Sequence, residues 1–195
     1  MSPSCVEIVA ESTLRDRVAQ LGAQIDADYR DREPVVVGVL KGSVPFLTDL
    51  GRHLHPRIEV DFLSLTRFGH DGRVGIEMDL SVPVDGRDVL IVEDIVDTGL
   101  TLTTLRRILA ARGASTVRTV ALLDKTARRI VDVPVEYRGF EVGDEFLLGY
   151  GMDWEGRFRN LRSIWAVMDL NGFRDDPEAF ADVAYAAPTS ARPRR

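Results

Sequence analysis

The sequence predicts an α/β fold, a twisted and mainly parallel sheet flanked by helices. Three short apolar runs rich in β-branched residues indicate buried strands, namely PVVVGVL (34–40), DVLIVED (88–94) and VRTVALLDK (117–125). Nearly continuous apolar runs of this kind are typical of parallel strands that are covered on both faces. Segments with helical periodicity separate the runs, and this alternation favours right-handed crossovers between parallel strands.

The first element is an amphipathic helix over residues 12–30, because four apolar residues recur there at four- and three-residue spacing. The four residues are Leu14, Val18, Leu21 and Ile25. Ser12 or Thr13 is able to cap its start. After the first strand, Pro45 favours a helix that runs to about Leu54, since proline is tolerated in a first helical turn.

The middle of the chain predicts two strands, RIEVDFLSL and VGIEMDLSV, around the polar segment TRFGHDGRVG, which is either a long hairpin or a mobile flap. The DVLIVED strand then leads into the helix LTLTTLRRILAARG, and Gly113 is suited to end it. Further strands and one short helix follow, namely VEYRGF, EFLLGYGMDW, SIWAVMDL and a helix near 177–186.

The size and charge of the chain limit its class. The 195 residues predict one domain over 1–173 and a partly disordered tail over 174–195. The formal charge is −6 and the pI is near 5.1, without a basic stripe, so nucleic acid is not expected as a partner. A single cysteine, Cys5, excludes an intramolecular disulfide, and no apolar stretch is long enough to cross a bilayer. We therefore expect a cytoplasmic protein without a membrane partner.

Charged residues stand at the carboxyl ends of the predicted parallel strands, where ligands bind in such sheets. They are Lys41, Glu93, Asp94, Asp97 and Lys125. The two lysines are the only lysines of the chain, which otherwise uses arginine. A compact ammonium reaches a single oxygen or a tight loop where a planar guanidinium would clash. Both lysines are therefore candidate ligand contacts.

The segment EDIVDTGLT (93–101) joins a strand to a helix and carries the most specific pattern. Exposed N–H groups, the hydroxyls of Thr98 and Thr101 and the helix dipole together suit a phosphate, and Gly99 lets a ligand come close. Glu93 and Asp94 suit either ribose hydroxyls or Mg²⁺. The alternative is that Asp97 or Thr98 only caps the helix and that the acid pair forms ion pairs with arginines.

The run VLIVEDIVDTGLTL resembles the signature of type I phosphoribosyltransferases. Four more blocks resemble the hypoxanthine-guanine (6-oxopurine) branch in that family's order: GVLKGSVPFLTDL, VDFLSLTRFG, ALLDKTARR and FLLGYGMDWEGRFRNL. The match runs from about Val35 to Leu170. It implies the type I phosphoribosyltransferase fold with a small hood formed by the N- and C-terminal segments, and a homodimer or homotetramer.

The resemblance also implies roles for the acidic strand end. Glu93 and Asp94 would bind the ribose hydroxyls with Mg²⁺, and Asp153 would be a second metal-linked carboxylate. Asp97 would lie beside the imidazole nitrogens of the purine as general acid and base. The amides and hydroxyls that would hold the 5′-phosphate belong to Asp97, Thr98, Gly99, Leu100 and Thr101.

The pyrophosphate contacts are implied in the same way. Leu40, Lys41 and Gly42 match a tight loop that has an unusual peptide geometry in the family, and Arg159 matches a further pyrophosphate contact. The flap departs from the family, because Arg67 and Phe68 stand where a Ser-Tyr pair is usual. Arg67 can substitute electrostatically, since a guanidinium forks onto phosphate oxygens.

The base contacts complete the predicted site. Lys125 matches a lysine that donates to the 6-oxo group, Phe146 matches the ring stacked on the base, and Leu147 would read the base edge through its backbone. Trp154 is either a wall of this pocket or core packing. The three histidines, His53, His55 and His70, have no metal-ligand spacing and are read as structural.

The implied reaction agrees with elementary chemistry. Breaking a ribose–pyrophosphate bond leaves positive charge on the sugar and negative charge on the leaving group, so anions are needed near one and cations near the other. We therefore predict a purine salvage transferase that joins hypoxanthine or guanine to 5-phosphoribosyl 1-pyrophosphate. The alternatives are a non-catalytic regulatory protein that senses this ligand, and a transferase for xanthine or another 6-oxopurine. A kinase-like fold is disfavoured, because no G-x-x-x-x-G-K-[ST] loop is present.

Overall fold

The computed structural model describes residues 5–55, 57–68 and 73–185. Three predictions concern residues outside the described part. They are the side chain of Arg67, His70, and residues 186–195 of the predicted tail. The nine strands are β1 (Cys5–Val9), β2 (Val35–Leu40), β3 (Glu59–Phe68), β4 (Arg73–Met78), β5 (Asp88–Val96), β6 (Thr116–Asp124), β7 (Tyr137–Glu141), β8 (Phe146–Leu148) and β9 (Ile164–Val167). The five α-helices of this part are α1 (Glu11–Asp28), α2 (Val44–Gly51), α3 (Leu100–Ala111), α4 (Leu170–Asp175) and α5 (Pro177–Ala184).

The predicted α/β sheet is confirmed. Six strands lie in the order β4-β3-β2-β5-β6-β7, and every neighbouring pair is parallel except the antiparallel β3–β4 hairpin. A smaller antiparallel sheet has the order β1-β9-β8 and thus joins the N-terminal strand to the C-terminal part of the chain. This second sheet is the hood that the resemblance implied.

The core lies on both faces of the six-stranded sheet because side chains alternate along each strand. On β5, Leu90 and Val92 belong to the cluster that α1 and α2 cover, whereas Val89 and Ile91 belong to the cluster that α3 covers. A third cluster, rich in aromatic rings, joins the hood to α4 and α5. None of the helices in the described segments has the length and apolar character needed to span a membrane.

Three local predictions were wrong. Helix α1 begins at Glu11 without a side-chain cap, so Ser12 and Thr13 lie inside its first turn. The predicted EFLLGYGMDW strand ends at Leu148, because the next three residues have positive φ values of 91°, 45° and 104° and turn the chain back. The strand predicted over SIWAVMDL ends at Val167, and the unpredicted α4 follows, capped by the Asp169 carboxylate, which accepts from Gly172 N–H at 3.0 Å.

Other local predictions are confirmed. Gly113 follows α3 with φ +85°, a conformation that favours glycine, and α5 is the predicted short helix near 177–186. The predicted domain boundary after residue 173 falls inside α4, and the division of the chain there remains a prediction.

Candidate active site

The predicted site residues follow the ends of three adjacent parallel strands. Gly38 of β2 pairs with Val92 of β5, and Val96 of β5 pairs with Asp124 of β6. The strand ends therefore lie side by side, as the sequence predicted, and the turns after them face one edge of the sheet. Lys41, Asp97 and Lys125 are the first residues beyond these strands.

The turn after β2 lies against the acid pair. The Leu40–Lys41 peptide bond is cis, and the exposed Lys41 precedes Gly42. A methyl group placed on Gly42 would collide with the Asp94 carboxylate, so a side chain at this position would displace the acid. Burial raises the pKa of Asp94 to about 6, because the N–H of Ile95 and the charge of Arg159 offset only part of the desolvation.

Glu93 is the more deeply buried acid, with 6% of its surface exposed. Burial first, and the nearby Asp94 second, raise its pKa well above the usual glutamate value. Within the described residues its carboxylate has neither a hydrogen bond nor an ion pair with a protein group.

A second loop closes on the turn after β2. Gly151 has φ +104°, and a methyl group on it would lie 1.9 Å from the carbonyl oxygen of Gly42. In the same loop, Arg159 Nη1 donates to the Gly151 carbonyl at 2.5 Å, and Arg159 Nη2 lies 2.6 Å from Asp153 Oδ1. The other Asp153 oxygen accepts from Gly156 N–H at 2.7 Å. The structure thus brings the predicted metal-linked and pyrophosphate residues together.

The predicted phosphate loop, residues 97–101, runs from the end of β5 into the first turn of α3. Gly99 has φ +84° at the start of α3, and a side chain there would lie 2.7 Å from the Val131 carbonyl oxygen. Leu100 and Thr101 form the first turn of the helix, and its N-cap residue is Gly99, which has no side chain. The Leu100 N–H donates to Thr98 Oγ1 at 3.5 Å, so the capping alternative is supported for Thr98 by one long hydrogen bond.

The alternative that Glu93 and Asp94 pair with arginines is not supported within the described segments, and the acid that does pair with an arginine is Asp97. Arg128 Nε donates to Asp97 Oδ1 at 2.6 Å, and both side chains are about half exposed. Neither Glu93 nor Asp94 forms an ion pair within the described segments of the chain.

Lys125, which is predicted to contact the base, directly follows β6. Lys125 is 7% exposed, and its Nζ donates to the carbonyl oxygens of Glu145 at 2.6 Å and Asp144 at 3.4 Å. Burial lowers the pKa of its ammonium group, although Asp97 counteracts this. An ammonium has three donors, so one remains for a ligand. Phe146 follows in the chain, which brings the lysine and the predicted stacking ring to one place.

The ring of Phe146 is half-buried and lies edge-on to Trp154, with ring centroids 5.5 Å apart. Trp154 in turn packs edge-on against Phe173 of α4 at 5.4 Å. Trp154 therefore packs between the predicted stacking ring and α4. Leu147 is buried and pairs with Ala166 of β9, but β8 is an edge strand of the hood, so part of its backbone is unpaired and able to bind a base.

Sequence reasoning missed a charged cluster directly behind the strand ends. It consists of Asp124, Arg128, Arg129 and Arg138. The signal was present in the run LLDKTARR, where an acid precedes Lys125 and two arginines follow it. A cavity of about 520 Å³ lies elsewhere, between α1, α2 and the 159–162 segment, and within the described part only Arg159 belongs to both the cavity and the predicted site.

Comparisons with known proteins identify the class of this fold and site. The chain matches the family of the phosphoribosyl transferase domain over residues 6–155 and belongs to that family. Within it, the chain is 41% identical to the hypoxanthine-guanine phosphoribosyltransferase of Bacillus subtilis (strain 168), over 80% of this chain and 89% of that protein. It is 42% identical to the hypoxanthine phosphoribosyltransferase of Haemophilus influenzae, over 83% and 94%.

Solved structures agree with these relatives. A hypoxanthine-guanine phosphoribosyltransferase from Bacillus anthracis superposes with a TM-score of 0.81 at 38% identity, covering 83% of this chain and 98% of that one. The hypoxanthine phosphoribosyltransferase of Trypanosoma cruzi in complex with the product IMP superposes with a TM-score of 0.79 at 32% identity, covering 83% and 92%. The type I phosphoribosyltransferase fold and the 6-oxopurine branch, both expected from the motifs, are confirmed.

Proposed function

We propose that this protein transfers the 5-phosphoribosyl group of 5-phosphoribosyl 1-pyrophosphate to N9 of hypoxanthine or guanine. The products are IMP or GMP and pyrophosphate. One observation carries the proposal. Three features follow adjacent strand ends: the acids Glu93 and Asp94, which have no ion pair in the described residues, the 97–101 loop, and the buried Lys125, whose Nζ donates to the carbonyl oxygen of the residue before Phe146. The names of the relatives support the same reaction.

The residues suit the charge that this reaction develops. As the diphosphate leaves C1 of the ribose, the sugar becomes cationic, and the carboxylates of Glu93 and Asp94 supply the complementary negative charge. Asp97 accepts the proton of the purine imidazole as N9 forms its bond to C1. On the other side, Lys41 and Arg159 supply positive charge for the departing diphosphate.

The first turn of α3 suits the 5′-phosphate. The hydroxyls of Thr98 and Thr101 and the backbone amides of the 97–101 loop lie at the positive end of a 12-residue helix. Gly99, with φ +84°, forms the turn into this helix and lets the Val131 carbonyl oxygen pack closely against the loop.

The acidic residues also fit Mg²⁺. Glu93 is buried and Asp94 is half-buried, and within the described residues neither carboxylate has an ion pair. Asp153 lies close enough to raise the pKa of Asp94 further. Within the described residues no group of three or more acidic, histidine or cysteine side chains could hold a metal by itself. Mg²⁺ commonly uses one or two carboxylates together with substrate phosphates, so this donor set fits an ion that shares the diphosphate. Bound there, Mg²⁺ would neutralise the leaving group.

Base selection follows from Lys125 and Phe146. A lysine ammonium donates to the carbonyl oxygen at position 6 of hypoxanthine or guanine, whereas the amino group of adenine would leave it unpaired. Phe146 supplies a ring face for stacking. A non-catalytic sensor would be expected to lack Asp97 or Lys125. Both residues are present and lie close enough at the strand ends for their charges to interact, which favours an enzyme that turns over.

The test is to offer each base separately with 5-phosphoribosyl 1-pyrophosphate and Mg²⁺ and to follow pyrophosphate release. We expect release with hypoxanthine or guanine and none with adenine. Release with xanthine alone would move the proposal to the alternative 6-oxopurine transferase, and tight binding of the sugar diphosphate without any turnover would establish the sensor instead.

We further propose a homodimer or homotetramer and a cytoplasmic location, both from the resemblance and the bulk composition. Light scattering coupled to size-exclusion chromatography measures the assembly directly. A monomer at micromolar concentration would contradict this part of the proposal.

A further inference from the structure

The segment after β6 contacts the back of the predicted phosphate loop. Arg129 Nη1 donates to the carbonyl oxygen of Asp97 at 3.2 Å. The next two N–H groups, of Ile130 and Val131, donate to the carbonyl oxygen of Thr98 at 3.0 and 3.2 Å. Both carbonyl groups at the start of the loop are therefore turned toward residues 129–131 and away from the strand ends.

The orientation of these carbonyl groups fixes the direction of two amides. In a planar trans peptide the C=O and N–H groups point in opposite directions. The peptides that follow Asp97 and Thr98 are trans, since the cis bond of the described segments is Leu40–Lys41. The N–H groups of Thr98 and Gly99 consequently point away from residues 129–131, toward the proposed phosphate site. Within the described residues neither N–H has a hydrogen-bond partner.

Arg129 is itself held in place by a buried acid. Its Nη2 donates to Oδ1 of Asp124, whose side chain is completely buried. Arg138 forms the second ion pair of this carboxylate, with its Nε 2.6 Å from Oδ2. The Arg129 side chain is 16% exposed, whereas the Arg138 side chain is 45% exposed. Within the described residues the Arg138 side chain has ion pairs with Asp124 and Glu141 and none with the 97–101 loop.

We propose that Arg129 is a positioning residue that holds the Asp97–Thr98 peptide with its N–H turned toward the 5′-phosphate. This inference rests on the proposed function. A guanidinium bonded both to Asp124 and to the Asp97 carbonyl keeps that peptide from rotating. Without it the carbonyl loses its partner, and the amide is no longer fixed toward a bound anion.

The two arginines of Asp124 provide a matched pair of variants. In an Asp124→Asn background, which removes the buried charge, Arg129→Met and Arg138→Met each delete one guanidinium. Only the first deletion removes the contact with the phosphate loop. Arg129→Lys is a second test that keeps a positive charge beside Asp124 but has one nitrogen and therefore cannot bond both oxygens in the same way.

The measurement is the ratio of the dissociation constants of inosine and inosine 5′-monophosphate, determined by calorimetry on each folded variant. The two ligands differ only in the phosphate, so a general loss of packing that weakens both equally leaves the ratio unchanged. We expect Arg129→Met to reduce the preference for the monophosphate by roughly 10- to 100-fold, the effect of a hydrogen bond to a charged group. Arg129→Lys should reduce it in the same direction, and Arg138→Met should leave it as in the Asp124→Asn parent.

Two other results would overturn the inference and are distinguishable. If the unmodified protein prefers the monophosphate but both arginine deletions change the ratio equally, Arg129 has no special role. If the unmodified protein binds inosine and its monophosphate equally, the phosphate site itself is wrong and the proposed function fails with it.

Discussion

The ends of β5 and β6 lie side by side, and each carries a deeply buried carboxylate. Asp124, at the end of β6, is completely buried, and two arginines neutralise it. Glu93, near the end of β5, is 6% exposed, and no cation of the described part of the chain pairs with it. Because an uncompensated buried charge costs several kcal/mol, such a group persists only where something else offsets the cost.

This difference separates two uses of buried charge. Where the chain supplies its own partner, as for Asp124, the carboxylate serves the protein's architecture. Where the described part of the chain supplies no partner, as for Glu93 and Asp94, the negative charge is available to a cationic ligand, a metal ion or a sugar that becomes cationic in the transition state. The comparison predicts that changes at the β5 end affect catalysis most and that changes at the β6 carboxylate affect stability.

The largest effect is expected for Asp97→Asn. The amide cannot accept the purine proton, so kcat should fall by roughly 10²- to 10⁴-fold, the usual contribution of general acid and base catalysis. Binding of 5-phosphoribosyl 1-pyrophosphate should be largely kept, because the loop amides remain. Steady-state kinetics and calorimetry measure the two quantities separately. An unchanged kcat would remove Asp97 from the mechanism.

Lys125→Ala is expected to act on the base. Loss of the ammonium that we propose donates to the 6-oxo group should raise the KM for hypoxanthine or guanine by roughly 10- to 100-fold, while the KM for the sugar diphosphate changes little. Lys41→Ala is the matched control, because the same substitution should act on the sugar diphosphate instead. Equal changes in both KM values for both variants would contradict the division of roles.

Glu93→Gln and Asp124→Asn should shift stability in opposite directions. The first removes an unpaired buried charge and should raise the free energy of unfolding of the ligand-free protein at pH 8 by about 1–3 kcal/mol. The second leaves two guanidiniums without their acid and should lower it by about 1–3 kcal/mol, reduced by the exposure of Arg138. Urea denaturation measures both. Destabilisation by both substitutions would contradict the inferred difference between the unpaired Glu93 and the neutralised Asp124.

The smallest effect concerns Asp61, a third buried carboxylate, on β3. Burial acts to raise the pKa of Asp61, but the N–H groups of Phe62, Val82 and Ser81 and the Ser81 hydroxyl together hold it below its usual value. A lowered pKa in the folded state stabilises the protein above the unfolded value near pH 4, and this contribution is lost as the pH falls through the folded pKa.

Asp61→Asn should therefore lower the free energy of unfolding by about 1 kcal/mol at pH 7, and by less as the pH drops below about 4. Parallel urea titrations at pH 7 and pH 3 give the comparison. A difference between the two proteins that is larger at pH 3 would mean that the hydrogen bonds do not favour the charged form.

Much of the fold was predictable because it is encoded locally. Continuous apolar runs predicted β2, β5 and β6, and the spacing of Leu14, Val18, Leu21 and Ile25 predicted α1. The errors fell at the ends of elements. No periodicity predicts the reversal after Leu148, because it depends on positive φ angles in a loop that packs against Gly42.

The position of the candidate site follows from the sequence, because parallel strands end at a common edge and charged residues follow those ends in the chain. Which of these charges have partners follows from the packing of the folded chain. Arg138 reaches Asp124 from β7, and the 149–159 loop brings Arg159 to Asp153 beside the turn after β2. Burial and pairing depend on the packing of distant segments, so the free carboxylates of β5 could be distinguished from the neutralised one of β6 only in three dimensions.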